Sequence, residues 1–202
     1  MRSGRVARKG FTVVELVVMV IVFAALSGAV LVNFSANRAS TNLRSAANQL
    51  VEDIRRAQAL TLANQKQSIC IADSLVCGSG SGCDPALPGG CADTYVPSYG
   101  VKLDEDGNGN RYAIFADYDE DGAYETGEAI PNGIRMLPNR IVIQSITPPG
   151  NDPVVYSSQE LNASPFLACA ADCVTTVVLE STVTGMTRTV TVRKETGAVS
   201  VE

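Results

Sequence analysis

Residues 11–34 read FTVVELVVMVIVFAALSGAVLVNF, an apolar run interrupted by few polar side chains. No charged residue occurs between Glu15 and Arg38. About 20 consecutive apolar residues suffice for a helix to cross the hydrocarbon core of a bilayer. The run therefore predicts a transmembrane helix over residues 11–34.

The charges around this run predict its orientation. Four basic residues and no acid precede it, whereas few charges follow it directly. The positive-inside rule then places the N-terminus in the cytoplasm and the rest of the chain outside. A cleaved secretory signal is the competing interpretation. However, the run is long for such a signal, and no proline occurs between residues 11 and 84.

The helical pattern continues over residues 35–66, where it becomes amphipathic. Apolar residues recur there at helical spacing, and charged residues occupy the other faces. We expect this second half to lay an apolar stripe on the rest of the protein. The stripe consists of Leu43, Ala46, Ala47, Leu50, Ile54, Ala57 and Leu60.

Residues 67–202 predict a β-rich head. Val- and Thr-rich stretches indicate strands, with hairpin turns at Thr184-Gly185 and Glu195-Thr196-Gly197. The residues 73–98 predict an irregular loop instead, because they are rich in Gly, Ser and Pro. We expect a mostly antiparallel sheet closed by a C-terminal meander. The predicted strands are 111–116, 141–147, 174–180, 186–193 and 198–201.

All six cysteines lie after the apolar run, and an even number in an extracytoplasmic head indicates disulfides. Zinc ligation is disfavoured because no C-x-x-C pair exists. Six cysteines allow 15 pairings, which the sequence leaves open. A local pairing of Cys169 with Cys173 is the preferred one. Weaker alternatives join Cys70 to Cys77 and Cys83 to Cys91.

The chain contains no histidine, which excludes Ser-His and Cys-His nucleophilic machinery and His-containing metal sites. Paired carboxylates such as Asp117 and Glu128 are the remaining route to acid-base chemistry. Nothing else in the sequence indicates a catalytic site. We therefore expect the protein not to be an enzyme.

An acidic stretch in the head has the spacing D-x-D-x-D-G of a calcium loop, with an acid at the twelfth position. Calcium takes 6 to 8 oxygen ligands, including backbone carbonyls. The alternative is a solvated acidic β-turn, and no cofactor is then required. A second run, 104–110, lacks the acid at the twelfth position, and we expect it to be a flexible loop that could lend a ligand. The candidate calcium ligands are Asp117, Asp119, Asp121, Ala123, Glu125 and Glu128.

The stretch Lys9-Gly10-Phe11-Thr12-Val13-Val14-Glu15-Leu16 resembles the prepilin processing site of type IV pilins and type II secretion pseudopilins. The resemblance implies that residues 1–10 are a leader, which a prepilin peptidase removes between Gly10 and Phe11 before methylating the new amino terminus. It also implies that Glu15 pairs with the amino group of Phe11 in a neighbouring subunit during assembly.

The stretch 115–122 with Thr126-Gly127-Glu128 is similar to H-type minor pseudopilins and T-type fimbrial minor pilins. The resemblance implies an α+β pilin fold, in which a long N-terminal helix, membrane-spanning in its first half, packs on the antiparallel head. Two departures are the Arg111-Tyr112-Ala113-Ile114 that precedes this stretch and the six cysteines.

The expected function is that of a structural minor pilin or pseudopilin, at or near the tip of a type II secretion pseudopilus or a type IV pilus. Expected partners are other such subunits, the peptidase, an inner-membrane assembly platform and, before assembly, the lipid bilayer. The expected location is the inner membrane, with the head in the periplasm and the assembled filament outside the cytoplasm.

The alternative function is DNA binding by a minor pilin of a DNA-uptake pilus, through Arg188, Arg193 and Lys194. Against it, the residues after the leader carry 12 basic and 21 acidic side chains. Binding to phosphates depends on several Lys or Arg contacts.

Overall fold

The computed structural model describes residues 12–70, 75–77, 90–148, 152–157, 174–193 and 197–202, without the side chains of 29–36 and 157. The chain divides into two compact units, Met1–Ala39 and Ser40–Glu202. Several predicted residues lie outside the described ranges: Gly10, Phe11, Cys83, Cys169, Cys173 and Lys194.

The helix α1 runs over Val13–Leu62 and begins with a capping box. The Thr12 hydroxyl accepts a hydrogen bond from the Glu15 backbone N–H, and the Glu15 carboxylate accepts one from the Thr12 backbone N–H, both at 3.3 Å. The sequence carries the signal T-x-x-E for this cap.

The prediction of a transmembrane helix at residues 11–34 is wrong. Among the described residues, no helix is both long enough and apolar enough to cross a membrane. The predicted single-pass location in the inner membrane, with a periplasmic head, depended on that helix. This prediction is therefore also wrong.

The described part of the Ser40–Glu202 unit contains ten strands in three antiparallel sheets. The first sheet pairs β1 with β2, the second has the order β5-β4-β3-β7, and the third has the order β10-β9-β8-β6. The strands are β1 (Lys66–Cys70), β2 (Cys91–Tyr95), β3 (Ser98–Lys102), β4 (Arg111–Asp117), β5 (Ala129–Met136), β6 (Ile141–Thr147), β7 (Val154–Ser157), β8 (Val174–Ser181), β9 (Thr187–Arg193) and β10 (Val199–Val201).

The predicted fold class, an α+β pilin fold with a long, half membrane-spanning helix on one mostly antiparallel sheet, is therefore wrong. Three separate sheets dominate the described residues, and α1 is not a long apolar helix. Its described residues 37–62 are amphipathic, because exposed charges such as Arg44 and Glu52 alternate with buried apolar side chains.

The five predicted strands are confirmed to within two residues at their ends. The turn at Thr184-Gly185 joins β8 to β9, and Gly185 has the positive φ of 66° that favours glycine there. The predicted irregular loop is wrong where β2 occupies Cys91–Tyr95. No strand was predicted at the positions of β1, β3, β5 and β7.

The predicted apolar stripe of α1 lies in the core of this unit. Its members Leu43, Ala46, Ala47, Leu50, Ile54 and Ala57 are buried, and Leu60 packs against the same cluster. Polar contacts also tie this part of α1 to the strands. The Tyr112 hydroxyl of β4 donates to Asp53 at 2.7 Å, and the Thr61 hydroxyl donates to the Tyr156 carbonyl of β7 at 3.0 Å.

Candidate functional site

The acidic loop 117–128 connects β4 to β5, and the pairing of these strands brings its two ends together. Asp117 is the last residue of β4, and Glu128 directly precedes β5. The Ala116 N–H donates a hydrogen bond to the Glu128 carbonyl at 3.0 Å. Positions 1 and 12 of the calcium-loop pattern therefore become neighbours because two adjacent strands pair.

Three of the predicted calcium ligands converge in this loop. Carboxylate oxygens of Asp117, Asp119 and Glu128 all lie within 4.8 Å of one another. Asp117 is only 1% exposed and Glu128 only 2%, whereas Asp119 is exposed. Hard oxygen ligands of this kind suit Ca²⁺ or Mg²⁺.

The other predicted ligands stand apart from this cluster. The Asp121 carboxylate accepts a hydrogen bond from the Ala123 N–H at 2.7 Å. Glu125 contributes its backbone N–H, which donates to Glu128 Oε2 at 2.7 Å. Neither carboxylate belongs to the convergent group found among the described residues.

The two oxygens of Asp117 have unlike surroundings. Oδ2 accepts hydrogen bonds from the Ser98 hydroxyl at 3.0 Å and from the Gly122 N–H at 3.3 Å. Gly122 has φ of 73°, which glycine adopts without strain. The buried Oδ1 accepts no hydrogen bond. A buried acceptor without a donor is uncommon in folded proteins.

Burial is the main cause of raised pKa values at this site. It raises the pKa of Asp117 to about 6; the Ser98 hydrogen bond opposes this shift, and the charge of Asp119 adds to it. Burial also raises the pKa of Glu128 to about 8; the Glu125 backbone hydrogen bond opposes the shift, and the charge of Asp117 adds to it. In the described residues, no Lys or Arg forms an ion pair with these carboxylates. Once these carboxylates lose their protons, the cluster holds negative charge without an ion-paired Lys or Arg among the described residues.

Carboxylates of the second acidic run, 104–110, accept hydrogen bonds from backbone N–H groups of the same run. Asp104 accepts a hydrogen bond from the Gly109 N–H at 2.7 Å, and Asp106 accepts one from the Asn108 N–H at 3.1 Å. Neither acid is part of the convergent group, so this run lends that group no ligand.

The cysteine pairing differs from the weaker alternatives. Cys77 is bonded to Cys91, so the pairs Cys70–Cys77 and Cys83–Cys91 are both wrong. Cys70 is also in a disulfide. The preferred pair, Cys169 with Cys173, falls outside the described ranges. Sequence spacing gave no signal for the observed bond, which joins residues 14 apart.

The basic residues proposed for DNA contact do not share a face. Arg188 pairs with the buried Leu179 across β8 and β9, whereas Arg193 pairs with the exposed Val174. Successive side chains of a strand alternate between its faces, so residues five apart point to opposite sides. Arg188 and Arg193 therefore form no common patch on β9.

A cavity of about 630 Å³ adjoins the acidic loop, lined in part by Glu105, Tyr124 and Cys77. Glu105 forms an ion pair with Arg111, and Cys77 is in a disulfide. The Cys77 sulfur is therefore not a free thiol nucleophile. The expectation that the chain is not an enzyme stays a prediction.

The N-terminal stretch of α1 carries the other candidate site, a continuous apolar surface. Every residue from Leu16 to Leu26 is apolar, and every one is exposed. Glu15, the predicted assembly residue, lies at the start of this surface and is engaged in the capping box described above.

No known family model, curated protein or solved structure matches the chain.

Proposed function

We propose that this protein is a structural subunit of a pilin-type or pseudopilin-type filament, in which the stretch 13–28 packs against the same stretch of neighbouring subunits. The observation that carries the proposal is the apolar surface that surrounds α1 between Leu16 and Leu26. The resemblance of residues 9–16 to a prepilin processing site also supports it.

The apolar surface is not confined to one face. Eleven consecutive apolar residues make three full turns at 3.6 residues per turn. Phe23 is 70% exposed, and Ile21 is 62% exposed. A helix that is apolar all round is normally buried. A bundle of such helices would bury every face, and each large side chain would contribute about 1.5 to 3 kcal/mol.

Glu15 supplies the specificity in this proposal. It is the sole acid in the stretch 11–34. Its own helix fixes the carboxylate at the helix start through Thr12. The proposed partner is the amino group of Phe11 in the next subunit, exposed by cleavage after Gly10. An ion pair of this kind would set the axial register of a bundle whose apolar contacts are non-directional.

The first test is the substitution Phe23→Asp in the full chain, produced in the cells that make it together with a differently tagged wild-type copy. We expect co-purification of the two copies, and filaments that bind antibody to the chain in electron micrographs. Phe23→Asp should reduce co-purification at least ~10-fold, because a buried, unpaired carboxylate costs far more than the 1.4 kcal/mol that this factor represents.

The matched control is Asn48→Asp, which adds the same charge to an exposed position of the same helix. It should assemble as the wild type does. Wild-type copies that fail to co-purify with each other and with any filament, or a Phe23→Asp variant that assembles normally, would contradict the proposal.

A second prediction separates the two roles of Glu15. Glutamine can replace glutamate in a capping box, so Glu15→Gln should preserve the start of the helix but remove the charge. We expect Glu15→Gln to reduce assembly at least ~10-fold, as the loss of a charge-assisted contact does. Thr12→Ala, which weakens the cap alone, should assemble nearly as well as the wild type. The reverse ranking in the same co-purification assay would assign Glu15 to capping only.

A further inference from the structure

We propose that the acidic loop 117–128 binds one Ca²⁺ ion between the carboxylates of Asp117, Asp119 and Glu128. This inference is independent of the proposed function, because it concerns only the Ser40–Glu202 unit. It decides between the two interpretations that the sequence left open.

The distances fit one ion. Calcium binds its oxygen ligands at 2.3–2.6 Å, so two ligands of the same ion lie at most about 5 Å apart. The three carboxylates offer oxygens within 4.8 Å of one another. The Ala116 N–H donates to the Glu128 carbonyl, and Asp117 and Glu128 are both buried, so the fold holds these two residues beside each other without an ion.

A second observation points to a ligand. Asp117 is 1% exposed, and its Oδ1 is buried without a hydrogen-bond donor. A solvated acidic turn would place its carboxylates in water, where both oxygens are hydrated. This turn instead buries the carboxylates of Asp117 and Glu128 beside each other, without a Lys or Arg ion pair in the described residues. A divalent cation would satisfy the buried oxygen and neutralise the pair.

The donor set favours calcium over other metals. It consists of carboxylates without histidine or a free thiol among the described residues, which disfavours zinc and copper. Magnesium demands a near-ideal octahedron, whereas calcium accepts 6 to 8 oxygens in flexible geometry. Asp121 lies outside the convergent group, so the remaining ligands would be water and a backbone carbonyl, such as that of Ala123 at the seventh position of the pattern.

Contacts outside the loop hold it in place. The Val76 N–H donates to the Gly127 carbonyl at 3.0 Å, and the adjacent Cys77 is bonded to Cys91 of β2. The Tyr124 ring packs edge-on against Phe115 of β4, with ring centroids 5.3 Å apart. Such preorganisation lowers the entropic cost of ordering the loop around an ion.

The test uses the full chain with its disulfides intact, stripped of metal by a chelator and then dialysed. Calorimetric titration with CaCl₂ should show one site, with Kd of roughly 10⁻⁴ to 10⁻³ M or tighter. Terbium luminescence provides an independent readout, because Tyr118 and Tyr124 lie in the loop and the chain has no Trp. Calcium should displace the terbium.

Two variants that each remove one negative charge make the test specific. Asp119→Asn alters an exposed ligand and should weaken calcium binding at least ~10-fold. Glu120→Gln alters the neighbouring exposed acid, which is outside the cluster, and should change Kd by less than ~3-fold because exposed charges are screened. Absence of heat and of displaceable terbium up to ~10 mM calcium, well above that range, would overturn the inference. Equal losses in both variants would likewise overturn it, because they would show binding by diffuse charge.

Discussion

Replacing Asp53 by alanine is expected to lower the free energy of unfolding by about 2 to 4 kcal/mol. The fully buried Tyr112 donates its hydroxyl to Asp53 Oδ2 at 2.7 Å, and Arg135 Nε lies 3.5 Å from the same oxygen. Burial, and after it the hydrogen bond to Asp53, raises the pKa of Tyr112 far above its usual range, so the hydroxyl keeps its proton. Alanine would leave that donor buried without an acceptor.

Urea unfolding followed by circular dichroism measures this effect, and the melting temperature should fall by roughly 4 to 16 °C. Glu52→Ala is the control, because it removes an exposed acid from the adjacent position of α1 and should stay within about 0.5 kcal/mol of the wild type. The double variant Asp53→Ala/Tyr112→Phe should recover part of the loss, since it removes donor and acceptor together. Equal stabilities of Asp53→Ala and Glu52→Ala would contradict the role assigned to this contact.

The second large effect is a loss of stability with rising pH in the presence of a chelator. Asp117 has a folded pKa of about 6 against an ordinary 3.8, and Glu128 has one of about 8 against 4.5. In both cases burial disfavours the charged form. The folded state therefore holds protons that the unfolded chain has already released, and stability falls as pH rises from about 4 to about 8. Each pKa unit corresponds to about 1.4 kcal/mol.

Melting temperatures measured across this pH range test the effect. Glu128→Gln should flatten the upper part of the profile, because the amide does not titrate. Saturating calcium should raise the melting temperature most near pH 8, where both carboxylates are free to bind it; at 100 times Kd the stabilisation is about 2.7 kcal/mol. Asp106 titrates below this window, because its pKa is lowered. A flat profile in chelator, or an unchanged slope in Glu128→Gln, would refute the linkage.

Local patterns predicted individual elements well. The helical spacing from Leu43 to Ala57 predicted the buried side chains, because burial of one face imposes a period on the sequence. The strands β3 and β7 carry no such signal. In the central strand β3, the buried Tyr99 and Val101 occupy alternate positions. In the edge strand β7, the buried Val154 and Val155 are consecutive. Periodicity cannot distinguish strands this short from loops.

The acidic loop shows that sequence spacing alone does not predict which ligands come together. Spacing proposed six ligands, whereas the structure brings together the carboxylates of Asp117, Asp119 and Glu128. The predicted ligands differ in burial. Asp117 and Glu128 are buried at the ends of paired strands, whereas Glu125 lies on the exposed turn. Long-range contacts set burial, so a local motif does not report it.

The amino-acid sequence alone determined the elements that depend on nearest neighbours: the capped start of α1 at Thr12 and Glu15, the apolar surface that follows it, and the hairpin at Gly185. The tertiary structure decided the three-sheet arrangement, the Cys77–Cys91 bond and the Tyr112–Asp53 contact, whose partners are 59 residues apart. Caps, helical periods and turns are selected by hydrogen bonds and sterics within a few residues. Partners distant in sequence are chosen by which surfaces can be buried together, and that choice exists only once the whole chain has folded.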